Sequence, residues 1–179
     1  MIYPRGSFYH IAANIGSSVS CTAAEIGVAD TENVKTWVAG PNSKNLYMKF
    51  KEIVLVDNTQ NSSHLQCINL FTVNNPFSKF LNMTSVEAAV KFPDEYFDFI
   101  YIDANHYYKY VSEDLNAWQY KVKRGGFIAG HDYDYHIDVN GKPQEDPGFE
   151  VNRAVDEFAR SKNVQVIKLH TEFVIRRSW

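Results

Sequence analysis

The stretch FDFIYIDANHYYKYVSEDLNAWQYKVKRGGFIAGHD, running from Phe97 to Asp132, decides the fold. Its opening residues, Phe97, Phe99, Ile100, Tyr101 and Ile102, form an apolar and aromatic run too short for a helix and rich in β-formers, which predicts a buried strand. Polar chemistry begins where that run stops. Asp103 and His106 follow it, and a second apolar run, Phe127 to Ala129, stops in the same way at His131 and Asp132. Between the runs, Val111, Leu115, Trp118 and Val122 are spaced by four, three and four residues, the stripe of a helix packed against a sheet. Strand, helix and strand within this length predict a right-handed crossover with parallel strands. Ligands of open parallel sheets bind beyond the carboxyl ends of the strands, so the pattern gathers all four polar residues at one crevice. Any one of them alone reads as a solvated loop residue; the pairing across two neighbouring strand ends is what points to a site.

The length of 179 residues fits one domain by the usual prior of roughly 100 to 200 residues. A net charge of −3, with acidic and basic residues interspersed, gives no basic field for nucleic acid and favours a small-molecule partner. Cys21 and Cys67 are the two cysteines, without metal-site spacing or a disulfide framework. No apolar span reaches membrane-crossing length and the N-terminus lacks a signal-peptide core, so no membrane association and a cytoplasmic location are expected.

Outward from the central stretch, residues 1–21 read as an irregular lead-in, with Gly6, Gly16 and a serine cluster. Thr22 to Val28 reads as a buried strand ending near Gly27, and Glu32 to Ala39 as a helix closed by Gly40 and Pro41. A glycine at such a turn lets backbone approach a ligand. Asp30 at the same turn repels a pyrophosphate, which argues for a cofactor with less negative charge. A second strand, Glu52 to Val56, ends at Asp57, whose carboxylate is placed to accept from both hydroxyls of an unphosphorylated ribose; followed by Asn58, it is also an ordinary turn signal. Ser63 to Phe71 predicts a helix and Phe77 to Met83 a strand, and Thr84 with Glu87 reads as a capping box in front of a helix from Ser85 to Lys91. After Asp132, residues 133–149 form a long loop rich in glycine and proline, a candidate substrate lid. Val151, Ala154, Val155 and Phe158 mark a last helix, and Val164 to Leu169 with Glu172 to Arg176 an antiparallel hairpin. The expected fold is α/β, a Rossmann-like doubly wound sheet, mostly parallel with an antiparallel C-terminal hairpin strand, in a single domain over 1–179.

This element order and the strings AEIGV, IVLVDN, SVEAAVKFPDEYFDFIYIDANHYY and RGGFIAGHDY together resemble class I S-adenosylmethionine-dependent methyltransferases. Within that class the chain looks most like the compact group that includes macrolide-sugar O-methyltransferases, over roughly residues 22–177. The resemblance implies that Glu25 lies near the methionine amino end of S-adenosylmethionine, that Gly27 lets backbone pass the cofactor, and that Asp57 holds the ribose. It places Thr84 and Ser85 at the adenine-side turn and Asp103 at the cofactor's reactive end. In metal-dependent members the positions of Asp103, His131 and Asp132 bind Mg²⁺ or another divalent cation, and His106 matches the base. Two positions depart from the pattern: Thr31 stands where a second glycine is usual, and His131 where an acid is commoner.

The chemistry so implied asks little of the protein. A sulfonium is already an activated leaving group, so an enzyme need only align an oxygen nucleophile and take its proton, a task suited to His106 at an unperturbed pKa near 6.5. Two other readings compete. An NAD-dependent short-chain dehydrogenase needs a Tyr-x-x-x-Lys pair at the crevice, and the one instance, Tyr47 with Lys51, precedes the second strand. A methyltransferase-fold binding module without turnover is the other, motivated by Thr31.

Overall fold

The computed structural model describes residues 6–15, 20–39, 48–134 and 150–179. Its elements run α1 (Gly6–Ile15), β1 (Ser20–Ile26), α2 (Glu32–Ala39), β2 (Lys49–Asp57), α3 (Ser62–Asn74), β3 (Ser78–Asn82), α4 (Ser85–Ala89), β4 (Phe97–Ile102), α5 (Tyr108–Trp118), β5 (Val122–Gly130), α6 (Val151–Lys162), β6 (Val166–Leu169) and β7 (Glu172–Arg176). The seven strands form one sheet in the order β3-β2-β1-β4-β5-β7-β6. The β1–β2, β1–β4, β2–β3 and β4–β5 pairings are parallel, and β7 runs antiparallel to both β5 and β6. This is the doubly wound α/β sheet expected, with strand order reversing between β1 and β4, the place where such sheets open a crevice.

Side chains alternate across the sheet, so each strand feeds two cores. Ala24, Ile26, Val54, Val56, Ile100, Ile102 and Ile128 pack under α4, α5 and α6, against Ala88, Val111, Leu115, Trp118, Val155 and Phe158. Ala23, Ile53, Leu55, Phe99, Tyr101 and Phe127 face α1, α2 and α3, against Phe8, Ile11, Val34, Trp37, Ile68 and Phe71. Both faces being covered explains why the strands read as continuous apolar runs rather than alternating ones. No helix among the described residues is long and apolar enough to cross a membrane.

Three expectations change. The lead-in is not irregular over residues 6–15, which form α1: Phe8, Ile11 and Ala12 bury one face against the sheet. The helix is also tied from the far end of the chain, because the Glu172 carboxylate accepts from Ser7 N at 3.0 Å, Ser7 Oγ at 2.8 Å and Tyr101 Oη at 2.7 Å. Three donors on one buried carboxylate offset its desolvation, which none of these residues could achieve locally. Val122, read as the last member of the α5 stripe, instead begins β5 and pairs with Phe97, since α5 ends at Trp118. The β2 and β5 strands are longer than expected because Lys49–Phe50 and Val122–Gly126 join their apolar centres to the neighbouring strands. Of the expected lid, only Tyr133 and Asp134 lie within the described residues. The capping box forms as read: Thr84 Oγ1 accepts from Glu87 N, and Glu87 Oε2 accepts from Thr84 N at 3.1 Å.

Candidate active site

A cavity of about 760 Å³ opens at the carboxyl ends of β1, β2 and β4, within the size range of small-molecule and cofactor sites. Gly27, Asp57, Thr84, Ser85 and Asp103, all singled out in the sequence, line it. The turn after β1 forms its floor. Gly27 has φ +83°, and a Cβ there would meet the Asp103 carbonyl oxygen at 2.3 Å, so glycine is demanded first by the packing of this turn against the end of β4. Asp57 closes the same turn: its Oδ2 accepts from Val28 N at 2.8 Å and Ala29 N at 3.1 Å. That corrects the bidentate reading. One carboxylate oxygen already holds the turn, which leaves Oδ1 as the oxygen to serve a ligand.

Thr31, in the place of the second glycine, keeps the left-handed backbone a glycine would adopt, with φ +68°, and is fully buried. A β-branched residue in this region is strained at a cost on the order of 1–3 kcal/mol, so the surrounding fold and not the residue sets the turn. Thr31 is not on the cavity wall.

Glu25 is also off the wall, wholly buried beneath it on β1. It joins the site through a residue that sequence reading missed. Asn33, on α2, donates through Nδ2 to Glu25 Oε1 at 2.6 Å and to Asp103 Oδ2 at 3.0 Å, holding two carboxylates together by one amide. The available signal was the buried acid itself, which needs a donor from whichever helix follows its strand.

Beyond Asp103 the site continues into an ionic cluster. His106 Nε2 lies 3.5 Å from Asp103 Oδ1 and 3.0 Å from Asp132 Oδ2, while His131 Nδ1 lies 2.9 Å from Asp132 Oδ1. His131 Nε2 is 3.0 Å from Thr171 Oγ1, and Tyr133 N donates to the Thr171 carbonyl at 2.9 Å, so the β6–β7 turn backs the cluster. Asp132 takes φ +59° to present its carboxylate to both imidazoles. Thus the two strand ends do meet. Burial opposes the charged form of His106, but hydrogen bonds and charge attraction from Asp103 and Asp132 outweigh it and raise its pKa to about 9. Burial likewise opposes ionisation of Asp132, and the two histidines win, holding its carboxyl below the usual range. The expectation of a neutral His106 at neutral pH therefore fails in this arrangement: with both carboxylates beside it, the imidazole keeps its proton.

Donor atoms of Asp103, His131 and Asp132 come within 4.8 Å of one another, close enough to share a divalent ion. Two carboxylates and an imidazole are ligands for a borderline cation as well as for Mg²⁺. His106 sits between the same two carboxylates, so its proton and such a cation would occupy one electrostatic niche.

A second acid on the cavity wall was missed. Asp114, on α5, is 5% exposed and lines the cavity beside Ser85. Trp118 Nε1 donates to Ser85 Oγ at 2.9 Å. Burial pushes the Asp114 carboxyl up to about 6; the Ser85 hydroxyl works the other way, and Glu113 adds to the rise. Its signal was legible: an aspartate between Val111 and Leu115 on the buried stripe of a helix.

The wall as a whole is acidic. Asp57, Asp103, Glu113 and Asp114 line it, and among the described residues no lysine or arginine does. At the start of α2, where a pyrophosphate would seek free N–H groups, Asp30 Oδ1 accepts from Glu32 N at 3.2 Å. Both features disfavour a dinucleotide.

The comparisons agree with this geometry. A family model described as a methyltransferase domain matches residues 25–133. No curated protein sequence matches the chain. Among solved structures, a protein from Corynebacterium glutamicum superposes with a TM-score of 0.69 at 16% identity, covering 100% of this chain and 84% of the other. The MycE methyltransferase of the mycinamycin biosynthetic pathway, in complex with Mg and S-adenosylhomocysteine, gives 0.65 at 13% over 96% of this chain and 48% of its own. An rRNA methylase from Streptococcus thermophilus gives 0.66 at 9% over 100% and 99%. At such identities the likeness is one of fold. With the family model spanning more than half of the chain, from the strand-1 acid to the residue after Asp132, the protein belongs to the methyltransferase domain family and has the class I methyltransferase fold.

Proposed function

We propose that the protein transfers the methyl group of S-adenosylmethionine to an oxygen of a small-molecule acceptor. The observation that carries this reading is the acidic cavity opening onto the Asp103–His106–Asp132 cluster. A cofactor that is cationic at sulfur and at its amino group suits a wall of carboxylates, whereas a dinucleotide would set two phosphates against them. Asp57 serves the ribose through Oδ1, Thr84 and Ser85 border the purine end, and Glu25, through Asn33 and Asp103, gives the amino end its negative field. The net charge of −3 and the acidic wall favour a small acceptor over nucleic acid.

In the step itself, a lone pair of the acceptor oxygen attacks the methyl carbon, the carbon–sulfur bond breaks with its electron pair passing to sulfur, and the hydroxyl proton leaves to the His106 imidazole. The products are a methyl ether and S-adenosylhomocysteine. His106 must be neutral to do this. Asp103, Asp132 and His131 are the residues that would hold a divalent cation, which when bound would draw acceptor oxygens toward it and lower their pKa. Such a charge would also weaken the hold of the two carboxylates on the His106 proton.

The test is transfer of labelled methyl from S-adenosylmethionine to a panel of sugar and phenol hydroxyls, with and without Mg²⁺, by wild type and His106→Ala. On this reading His106→Ala lowers kcat by about 10²- to 10⁴-fold with cofactor affinity nearly unchanged. Equal turnover by the two proteins removes the base assignment, and activity indifferent to EDTA removes the cation.

A further inference from the structure

Two tyrosines that the step described above does not use stand beside residues that it does. Tyr108 opens α5 two residues after His106, and Tyr133 follows Asp132 directly. Both reach the same helix. Tyr108 Oη donates to Glu157 Oε2 at 2.5 Å, and Tyr133 Oη donates to Asp156 Oδ1, so consecutive acids of α6 each take one hydroxyl from one of the two loops that carry the cluster. The two ties are built alike. Arg153 Cζ lies 4.5 Å from the centre of the Tyr108 ring and Lys168 Nζ 4.6 Å from that of Tyr133, so each ring is held at its hydroxyl by an acid and on its face by a cation. Arg153 is itself fixed to Glu157 Oε1 at 3.1 Å, and Tyr133 N donates to the Thr171 carbonyl at 2.9 Å.

The sheet aligns the two loops only as far as its last parallel pair, Ile102 with Gly130. Past that pair, the chain carrying Asp103 and His106 and the chain carrying His131 and Asp132 leave the ladder. Placement still matters there, since an error of about 1 Å in a positioned group can cost about 10²-fold in rate. A helix of 12 residues is stiffer than either loop, and adjacent positions on it hold both.

On the reading that the cluster acts as one unit in methyl transfer, we propose that Asp156 and Glu157 are positioning residues: through Tyr133 and Tyr108 they set the separation of the two loops at which Asp103, His131 and Asp132 share one divalent cation. Their carboxylates bond the tyrosines and not the cluster, so the effect is one of placement and not of charge.

That distinction supplies the test. Asp156→Asn and Glu157→Gln remove the charge but keep an oxygen that accepts from the tyrosine; Tyr133→Phe and Tyr108→Phe keep the charge and remove the donor. Mn²⁺ binding to the full chain at pH 7.5 is followed by electron paramagnetic resonance of the free ion, with S-adenosylhomocysteine affinity measured by calorimetry in parallel. Wild type is expected to bind one Mn²⁺. Each phenylalanine variant is expected to weaken it about tenfold, the lower end of what is lost when the support of a metal ligand is removed. The asparagine and glutamine variants keep wild-type Mn²⁺ affinity, and all four keep wild-type affinity for S-adenosylhomocysteine. The opposite pattern, with Mn²⁺ weakened by the amides and not by the phenylalanines, shows a field of charge and overturns the proposal, as does Mn²⁺ affinity indifferent to all four. Tyr108 is only half-buried, so Tyr108→Phe decides the matter if Tyr133→Phe folds poorly. Wild type that binds S-adenosylhomocysteine and no Mn²⁺ overturns the proposal and leaves the cofactor reading standing; wild type that binds Mn²⁺ and no S-adenosylhomocysteine overturns the cofactor reading, and the same four variants still decide the brace.

Discussion

Asp132, in the ionic cluster, and Asp114, on the cavity wall, are both largely buried, and their carboxyls are displaced in opposite directions. For each, burial is the largest single influence and opposes the charge. At Asp132 two imidazoles lie at 3.0 and 2.9 Å and reverse the outcome. At Asp114 the Ser85 hydroxyl opposes the rise only as a neutral group and the like-signed Glu113 adds to it, so burial prevails and the carboxyl rises to about 6. The difference teaches that a residue's type and burial do not fix its protonation; the charge of what faces it does.

The sharpest break in this comparison is Asp132→Ala in the metal-free protein. It leaves His106 and His131 without their shared carboxylate, and a loss of about 2–4 kcal/mol near pH 6 is expected, at or below the range for breaking a buried pair because the imidazoles keep some solvent contact. The sign follows from the two shifts. His106, raised to about 9, contributes stability that is complete below about 6.5 and is lost as pH rises through 9; Asp132, lowered, contributes above about 4 and loses it in acid. The deficit of Asp132→Ala should thus be greatest between about pH 4 and 6.5 and shrink by pH 10. Chemical denaturation across that range measures it, and a pH-independent deficit would mean that packing and not charge holds the cluster.

Asp114→Asn should act the other way and by less. A raised carboxyl pKa means that the folded protein favours the protonated form, so stability is present below about 4 and lost as pH rises through 6. Replacing the acid with a neutral amide should raise the melting temperature at pH 8, by up to about 2–3 kcal/mol of stability, and have almost no effect at pH 4. Destabilisation at pH 8 would show that the hydrogen bond to Ser85 outweighs the cost of the buried charge.

Legibility differed between these regions for physical reasons. β4, α2 and β7 were readable to the residue because apolar runs and end signals agree there, and the polar residues at the ends of β4 and β5 follow from that agreement. Val122 was misassigned because a spacing of four fits a helix stripe whether or not the helix has already ended. α1 was missed because its anchor, Glu172, lies 165 residues from Ser7, a separation no local pattern carries. His106 was visible as a candidate base, but its protonation was not, since that depends on Asp132 arriving from another strand. Asp114 has a different cause, being a polar residue on a helix read for its apolar stripe alone, while Asn33 lies on a helix read only from the Gly40–Pro41 signal that closes it.

The most direct measurement is a calorimetric titration of the wild-type chain with S-adenosylhomocysteine and, in parallel, with NADH. The account predicts one S-adenosylhomocysteine per chain and no binding of NADH, because the acidic wall and the Asp30-capped α2 reject a pyrophosphate. It also predicts that Asp57→Ala weakens S-adenosylhomocysteine about tenfold or more, through the lost ribose contact and the loosened Val28–Ala29 turn. NADH binding as tightly as S-adenosylhomocysteine, or no heat from S-adenosylhomocysteine at millimolar concentration, would contradict the claim that this cavity is built for the methyl donor.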